Sequence, residues 1–212
     1  RLVLEYEISH INFSAYGASL AYVDSSGQLI AHLYNYLKPY PPELLNSFYS
    51  LYGDAKMLAF ETASPSLGML NSGMQLYWLK HNKPEVFSIV KYALHLPQYL
   101  SFLLSGIPYS DPTSIGCHTM LWDFAKNDYH DWVYKEKVNE KLAPIVNCNK
   151  TTATKIDGKN VQIGVGIHDS SAAIIPFIQK EKEPFILMST GTWCISINPF
   201  NNTDLTDFEL GN

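Results

Sequence analysis

The sequence predicts an α/β domain with a mixed sheet flanked by helices, and three observations carry that prediction. Strand and helix periodicities alternate in the last third of the chain, helical spacing fills the middle, and a turn with hairpin chemistry lies near the start. Alternation argues for parallel strands, while the hairpin adds an antiparallel pair.

From Ile11 to Asn35, short apolar and β-branched runs flank Asp24-Ser25-Ser26-Gly27, whose residue types favour a tight turn. Two antiparallel strands are expected, near 20–23 and 29–34. Beyond the Pro39 to Pro42 stretch, Leu70, Met74, Tyr77 and Trp78 recur at helical spacing, as do Val86, Val90 and Leu94. Helices are therefore expected over 66–81 and 84–96. Pro97 should end or kink the second, and residues 99–104 should begin another that stops at Gly106. The polar segment 108–149 carries one short helix near 131–142. The chain then reads as a strand at 161–167, a turn at His168-Asp169-Ser170-Ser171, a helix at 172–179 and a strand at 184–189.

Composition excludes several functions. With 212 residues, 46% hydrophobic and 17% charged, the chain can bury a sizeable core. Fifteen Lys and Arg against 20 Asp and Glu give a formal charge of -5 with no basic cluster, so no nucleic-acid partner is expected. The most apolar stretch, 94–107, is broken by Pro97, Gln98 and Gly106 and falls short of the roughly 18 residues that span a bilayer, so no membrane is expected either. Three cysteines, Cys117, Cys148 and Cys194, lack Cys-x-x-Cys spacing, which argues against a disulfide framework or a zinc site and for a reducing, cytoplasmic home. The start at Arg1 and the stop at Asn212 read as a segment of a longer polypeptide.

The strongest local signal is Gly164-Val165-Gly166-Ile167-His168-Asp169-Ser170-Ser171. An apolar strand ends in a carboxylate and small residues open a helix, so Asp169 either projects from the carboxyl edge of the sheet, where ligands bind, or caps the helix by accepting from Ser171 or Ala172. The helix N-terminus favours its ionised form in both cases. The second signal, Ser189-Thr190-Gly191-Thr192-Trp193, reads either as a phosphate cradle or as ordinary turn chemistry. No metal ligand set emerges, because His168 and Asp169 are adjacent on an extended chain and point to opposite faces. The other histidines, His10, His32, His81, His95, His118 and His130, read as surface or packing residues, and Tyr77-Trp78 reads as core.

Taken in order, Phe13-Ser14-Ala15-Tyr16-Gly17-Ala18-Ser19, the turn at 24–27, Gly166-Ile167-His168-Asp169 and Ser189-Thr190-Gly191-Thr192-Trp193 resemble the amino-terminal, sugar-binding domain of the FGGY carbohydrate kinases. The nearest branch looks like rhamnulokinase, and the resemblance covers nearly all of 1–212. It implies a ribonuclease-H-like, actin-like ATPase domain, truncated at its start, whose carboxy-terminal ATP-binding partner domain is absent from this chain. It further implies an ATP-dependent kinase, using ATP and Mg2+, that phosphorylates a hydroxyl of a monosaccharide, with a ketose or deoxy-ketose expected. In the matching positions Asp169 is the general base, Gly17, His168, Asp169 and Ser170 contact the sugar, and Gly191 and Thr192 serve the ATP phosphates. Ser14-Ala15-Tyr16-Gly17 departs from the Asp-x-Trp-Gly of that branch. A cytoplasmic enzyme, with a homodimer as one possible assembly, completes the expectation. The competing readings are a non-catalytic sugar-binding or regulatory relative and, more remotely, a hydrolase that pairs His168 with a serine.

Overall fold

The computed structural model describes residues 5–190, 194–201, 203 and 205–210. Strands β1 (His10–Ile11), β2 (Ser14–Ala15) and β3 (Leu20–Val23) come first, then helices α1 (Pro42–Tyr52), α2 (Ala55–Thr62), α3 (Ser72–Asn82) and α4 (Pro84–Ile89). Strand β4 (Tyr92–His95), helices α5 (Leu96–Ser105) and α6 (Pro112–Ile115), the pair β5 (Trp122–Asp123) and β6 (Asp128–Tyr129), and helix α7 (Asp131–Lys135) follow. The last part holds β7 (Thr151–Ile156), β8 (Lys159–Gly164), β9 (Ile167–His168), α8 (Asp169–Lys180), β10 (Leu187–Thr190), β11 (Cys194–Ile197) and α9 (Asp207–Leu210).

The mixed sheet is present. In the order β1-β8-β7, β1 runs parallel to β8 and β7 antiparallel to it. The β7–β8 connection at Asp157-Gly158 has both residues at positive φ, the geometry that suits a tight hairpin between right-twisted strands.

Near the start, the turn forms as expected: Asp24 Oδ1 accepts from Ser26 N at 2.8 Å and Gln28 N at 3.0 Å, and Gly27 takes φ +80. The expected second strand at 29–34 shrinks to a single bridge between Val23 and Leu29. The partner of β3 is instead β4, in antiparallel register from Leu20 opposite His95 to Val23 opposite Tyr92. That pairing corrects the helix expected over 84–96. The helix stops at Ile89, and the next residues become a strand because β3, buried along its whole length, needs a hydrogen-bonded neighbour. Pro97 consequently sits in the first turn of α5 and opens that helix rather than ending one. Gly106, at φ +70, closes α5 as expected.

Helices α1 and α2 have clear local causes. Pro42 begins α1 with a preset φ, and Asp54 caps α2 by accepting from Met57 N at 2.8 Å. The core lies between these helices, α3, β3 and α7. Phe48, Tyr77 and Trp132 meet edge-to-face there, with ring centroids 4.9 Å apart for Phe48–Tyr77 and 5.2 Å for Phe48–Trp132. Tyr77 is thus core, as its spacing indicated. Among the described residues no helix is long and apolar enough to cross a membrane.

Candidate active site

The expected strand at 161–167 is broken in two, and the break aims the site. His10 and Ile11 pair with Gln162 and Ile163, whereas Ser14 and Ala15 pair with Ile167 and His168. Asn12 and Phe13 therefore face three residues, Gly164, Val165 and Gly166, which form a bulge. Asn12 Oδ1 fills the bulge, accepting from Gly166 N at 2.9 Å. A Cβ on Gly164 would lie 2.5 Å from that amide, and Gly166 combines φ +89 with close approach to the Pro97 carbonyl, so both positions require glycine.

Buried polar groups hold β9 beyond the bulge. Gln98 Nε2 donates to Gly166 O and to Asp111 Oδ1, each at 3.0 Å. Asp111, fully buried, caps α6 and accepts from Thr113 Oγ1 at 2.7 Å, and Thr113 Oγ1 in turn accepts from His168 N at 3.0 Å. Two of the donors that converge on Asp111, Gln98 Nε2 and Thr113 Oγ1, thus also restrain the segment that leads into the His168-Asp169 turn.

At that turn the two side chains differ in exposure, although His168 Nδ1 lies 3.3 Å from Asp169 Oδ1. The His168 ring turns inward, its side chain 6% exposed, while Asp169 turns outward at 53%. The cap of α8 is His168, whose Nδ1 accepts from Ser170 N at 3.3 Å. This corrects the capping alternative for Asp169: Asp169 is the first helical residue, and its Oδ1 accepts from Ser170 N at 2.7 Å rather than from Ser171 or Ala172. Its carboxylate borders a cleft of about 420 Å³.

Gly17, His168, Asp169 and Ser170 all line this cleft, so four of the six expected site residues come together. The space beside the Gly17 Cα is taken by the His168 ring, which would stand 2.5 Å from a Cβ there. Gly191 and Thr192 lie outside the described residues. Ser189, the first residue of the same motif, reaches the cleft. Sequence reasoning missed the lining residues Tyr16, Tyr36, Leu67 and Leu70, and it missed His118. Leu70 had been expected on a helical core face, but it ends a short 3₁₀ turn, Gly68–Leu70, that turns it to the cleft.

Burial dominates the electrostatics. It lowers the His168 pKa against the opposing pull of Asp169 and Asp111, lowers that of His118 to about 4, and lowers that of His95 to about 3. It raises the Cys117 thiol to about 11, with the Asp169 charge adding to the shift. Near neutral pH the imidazoles are therefore uncharged and the thiol protonated. Cys117 Sγ lies 3.1 Å from His118 Nδ1 and 3.4 Å from His168 Nε2. The described residues contain no serine hydroxyl bonded to His168 of the kind a hydrolase would need. The Ser72–His95 pair, 2.8 Å apart, is sealed in the interior. No group of three His, Cys, Asp or Glu among the described residues could hold a metal ion.

No protein-family model matches the chain. Solved carbohydrate kinases do resemble it. A carbohydrate kinase from Novosphingobium aromaticivorans superposes with a TM-score of 0.81 at 26% identity, over 94% of this chain and 45% of that one. A ligand-bound xylulose kinase from Lactobacillus acidophilus gives 0.66 at 20% identity over 82% of this chain and 37% of that one. Plasmodium falciparum glycerol kinase with ADP gives 0.66 at 19% identity, over 79% and 35%. The chain therefore has the fold of one part of these kinases and spans less than half the length of each.

Proposed function

We propose that this chain is the sugar-binding part of an ATP-dependent carbohydrate kinase of the FGGY type, with Asp169 as general base. The observation that carries this reading is a half-exposed carboxylate at a helix N-terminus, bordering a cleft in the size range of small-molecule sites. The helix end favours the ionised carboxylate, the form that accepts a proton. As the acceptor hydroxyl loses its proton to Asp169, the sugar oxygen bonds to the γ-phosphorus and ADP leaves with the bridging oxygen.

Phosphoryl transfer needs mainly positioning and charge stabilisation, which suits a site whose base is held by the bulge and by Thr113. His168 and Ser170 border the sugar on one side, and Tyr16, Tyr36, Leu67 and Leu70 offer apolar surface to its C–H face on the other. That wall suits a ketose or deoxy-ketose. Gly191 and Thr192 are assigned to the ATP phosphates by their match to the kinase motif. Mg2+ would enter with those phosphates, since the described residues offer it no ligand group of their own. The likeness to glycerol kinase solved with ADP supports the nucleotide, and a cytoplasmic location, where ATP is plentiful, goes with the reading.

The test is ADP release by the complete protein with Mg-ATP and a panel of D-xylulose, L-rhamnulose, L-fuculose and glycerol. Sugar-dependent ADP production that Asp169→Asn abolishes is expected. Saturable sugar binding without any turnover would identify a non-catalytic relative instead.

A further inference from the structure

His118 stands on the cleft wall with one ring nitrogen committed and the other free. Its Nδ1 faces Cys117 Sγ at 3.1 Å, its ring packs edge-on against His168 with centroids 6.2 Å apart, and its carbonyl accepts from Asn71 Nδ2 at 2.8 Å. These three restraints fix the imidazole. The backbone there is at φ +39, an unusual conformation for a residue with a side chain, and Met120 beyond it is at φ +62. Among the described residues Nε2 has no hydrogen-bond partner, although His118 borders the cleft. A restrained imidazole on the wall of a small-molecule cleft, with one nitrogen unpaired among the described residues, suits a ligand hydroxyl.

The charge pattern narrows the ligand. Asp169 is the one charged side chain lining the cleft among the described residues, and no lysine or arginine borders it. Burial keeps the His118 and His168 rings uncharged at neutral pH, so neither can neutralise an anion. An acidic sugar would bring its carboxylate beside Asp169 with no cationic lining residue among those described to offset the repulsion.

We propose that His118 is a specificity-determining residue of the sugar site, its Nε2 hydrogen-bonding a hydroxyl of an uncharged sugar, and that the cleft rejects sugar acids. The inference rests on the sugar-site reading above and adds the residue and the exclusion of sugar acids.

Isothermal titration of the complete protein without nucleotide, using D-xylulose, L-rhamnulose and D-gluconate as probes, tests it. The wild type should bind at least one ketose at least about tenfold more tightly than gluconate, and His118→Ala should weaken that ketose by about tenfold or more. Because alanine is strained at positive φ, His118→Asn serves as the second variant: asparagine tolerates this backbone but is too short to reach, so it should weaken the ketose similarly. Thermal melts establish that each variant is folded. Ketose affinity unchanged in a folded His118→Asn protein, or gluconate bound as tightly as the ketose, overturns the inference and leaves the sugar site standing. No binding of either ketose by the wild type would overturn both.

Discussion

The imidazole of His168 occupies the volume that a side chain at residue 17 would need: a Cβ on Gly17 would lie 2.5 Å from its Cδ2 and 2.9 Å from its Nε2. Gly17→Ala must therefore push the ring out of its place beside Cys117. Overpacking of this kind typically costs about 1–3 kcal/mol. Urea denaturation should show that loss, and sugar affinity should fall with it. A variant of wild-type stability and affinity would mean that the ring has room to spare.

Asp169→Asn keeps the shape of the side chain and removes its basicity. The kcat of the complete enzyme should drop by about 10²–10⁴ if the carboxylate is the proton acceptor, while sugar affinity should stay within a few-fold. Equal losses in affinity and turnover would instead make Asp169 a binding group.

Thr113 links the buried Asp111 carboxylate to the His168 amide. Thr113→Val leaves that N–H without its acceptor and removes a donor from Asp111, at a cost of roughly 1–3 kcal/mol. Thr113→Ser retains the hydroxyl and should be close to neutral. Similar stabilities for valine and serine at this position would show that the link contributes little.

Acid should weaken the fold through its buried histidines. The folded-state pKa values of His95 and His118, about 3 and about 4, lie below the ordinary value of 6.5, so the unfolded chain binds protons that the folded chain refuses. Their contribution is fully present above pH 6.5 and is lost as the pH falls towards 4, at roughly 1.4 kcal/mol per pH unit for each ring. Urea midpoints at pH 7 and pH 5 should separate accordingly, and His118→Asn should narrow the gap. An equal gap in both proteins would remove His118 from the account.

The parts of the site legible in the sequence were those written in contiguous residues. A strand that ends in His168-Asp169 before a run of small residues points to a sheet edge from local chemistry alone, and the turn at Asp24 to Gly27 follows from its residue types. What stayed hidden depends on residues far apart in the chain. Tyr92 to His95 has no strong strand signature and becomes a strand because buried β3 requires a partner. His118 looked like any scattered histidine, since nothing around it reveals that Cys117 and His168 will hold its ring at a cleft. The bulge could not be read either, because its defining mismatch is between Asn12 and glycines some 150 positions later.

That long-range pairing also bears on how the molecule is made. On the ribosome, the segment carrying Ser14 to Gly17 emerges well before Ile167 and His168, its strand partners among the described residues. Helices α1 to α3 close over local contacts and can form while synthesis continues, whereas the His168-Asp169 turn must wait until residue 168 and its strand neighbour have both emerged. A nascent chain stalled before residue 167 would expose an unpaired strand edge at residues 10–15, a natural target for chaperones. The cleft beside Asp169 is therefore expected to mature later than the helices that precede it in the chain.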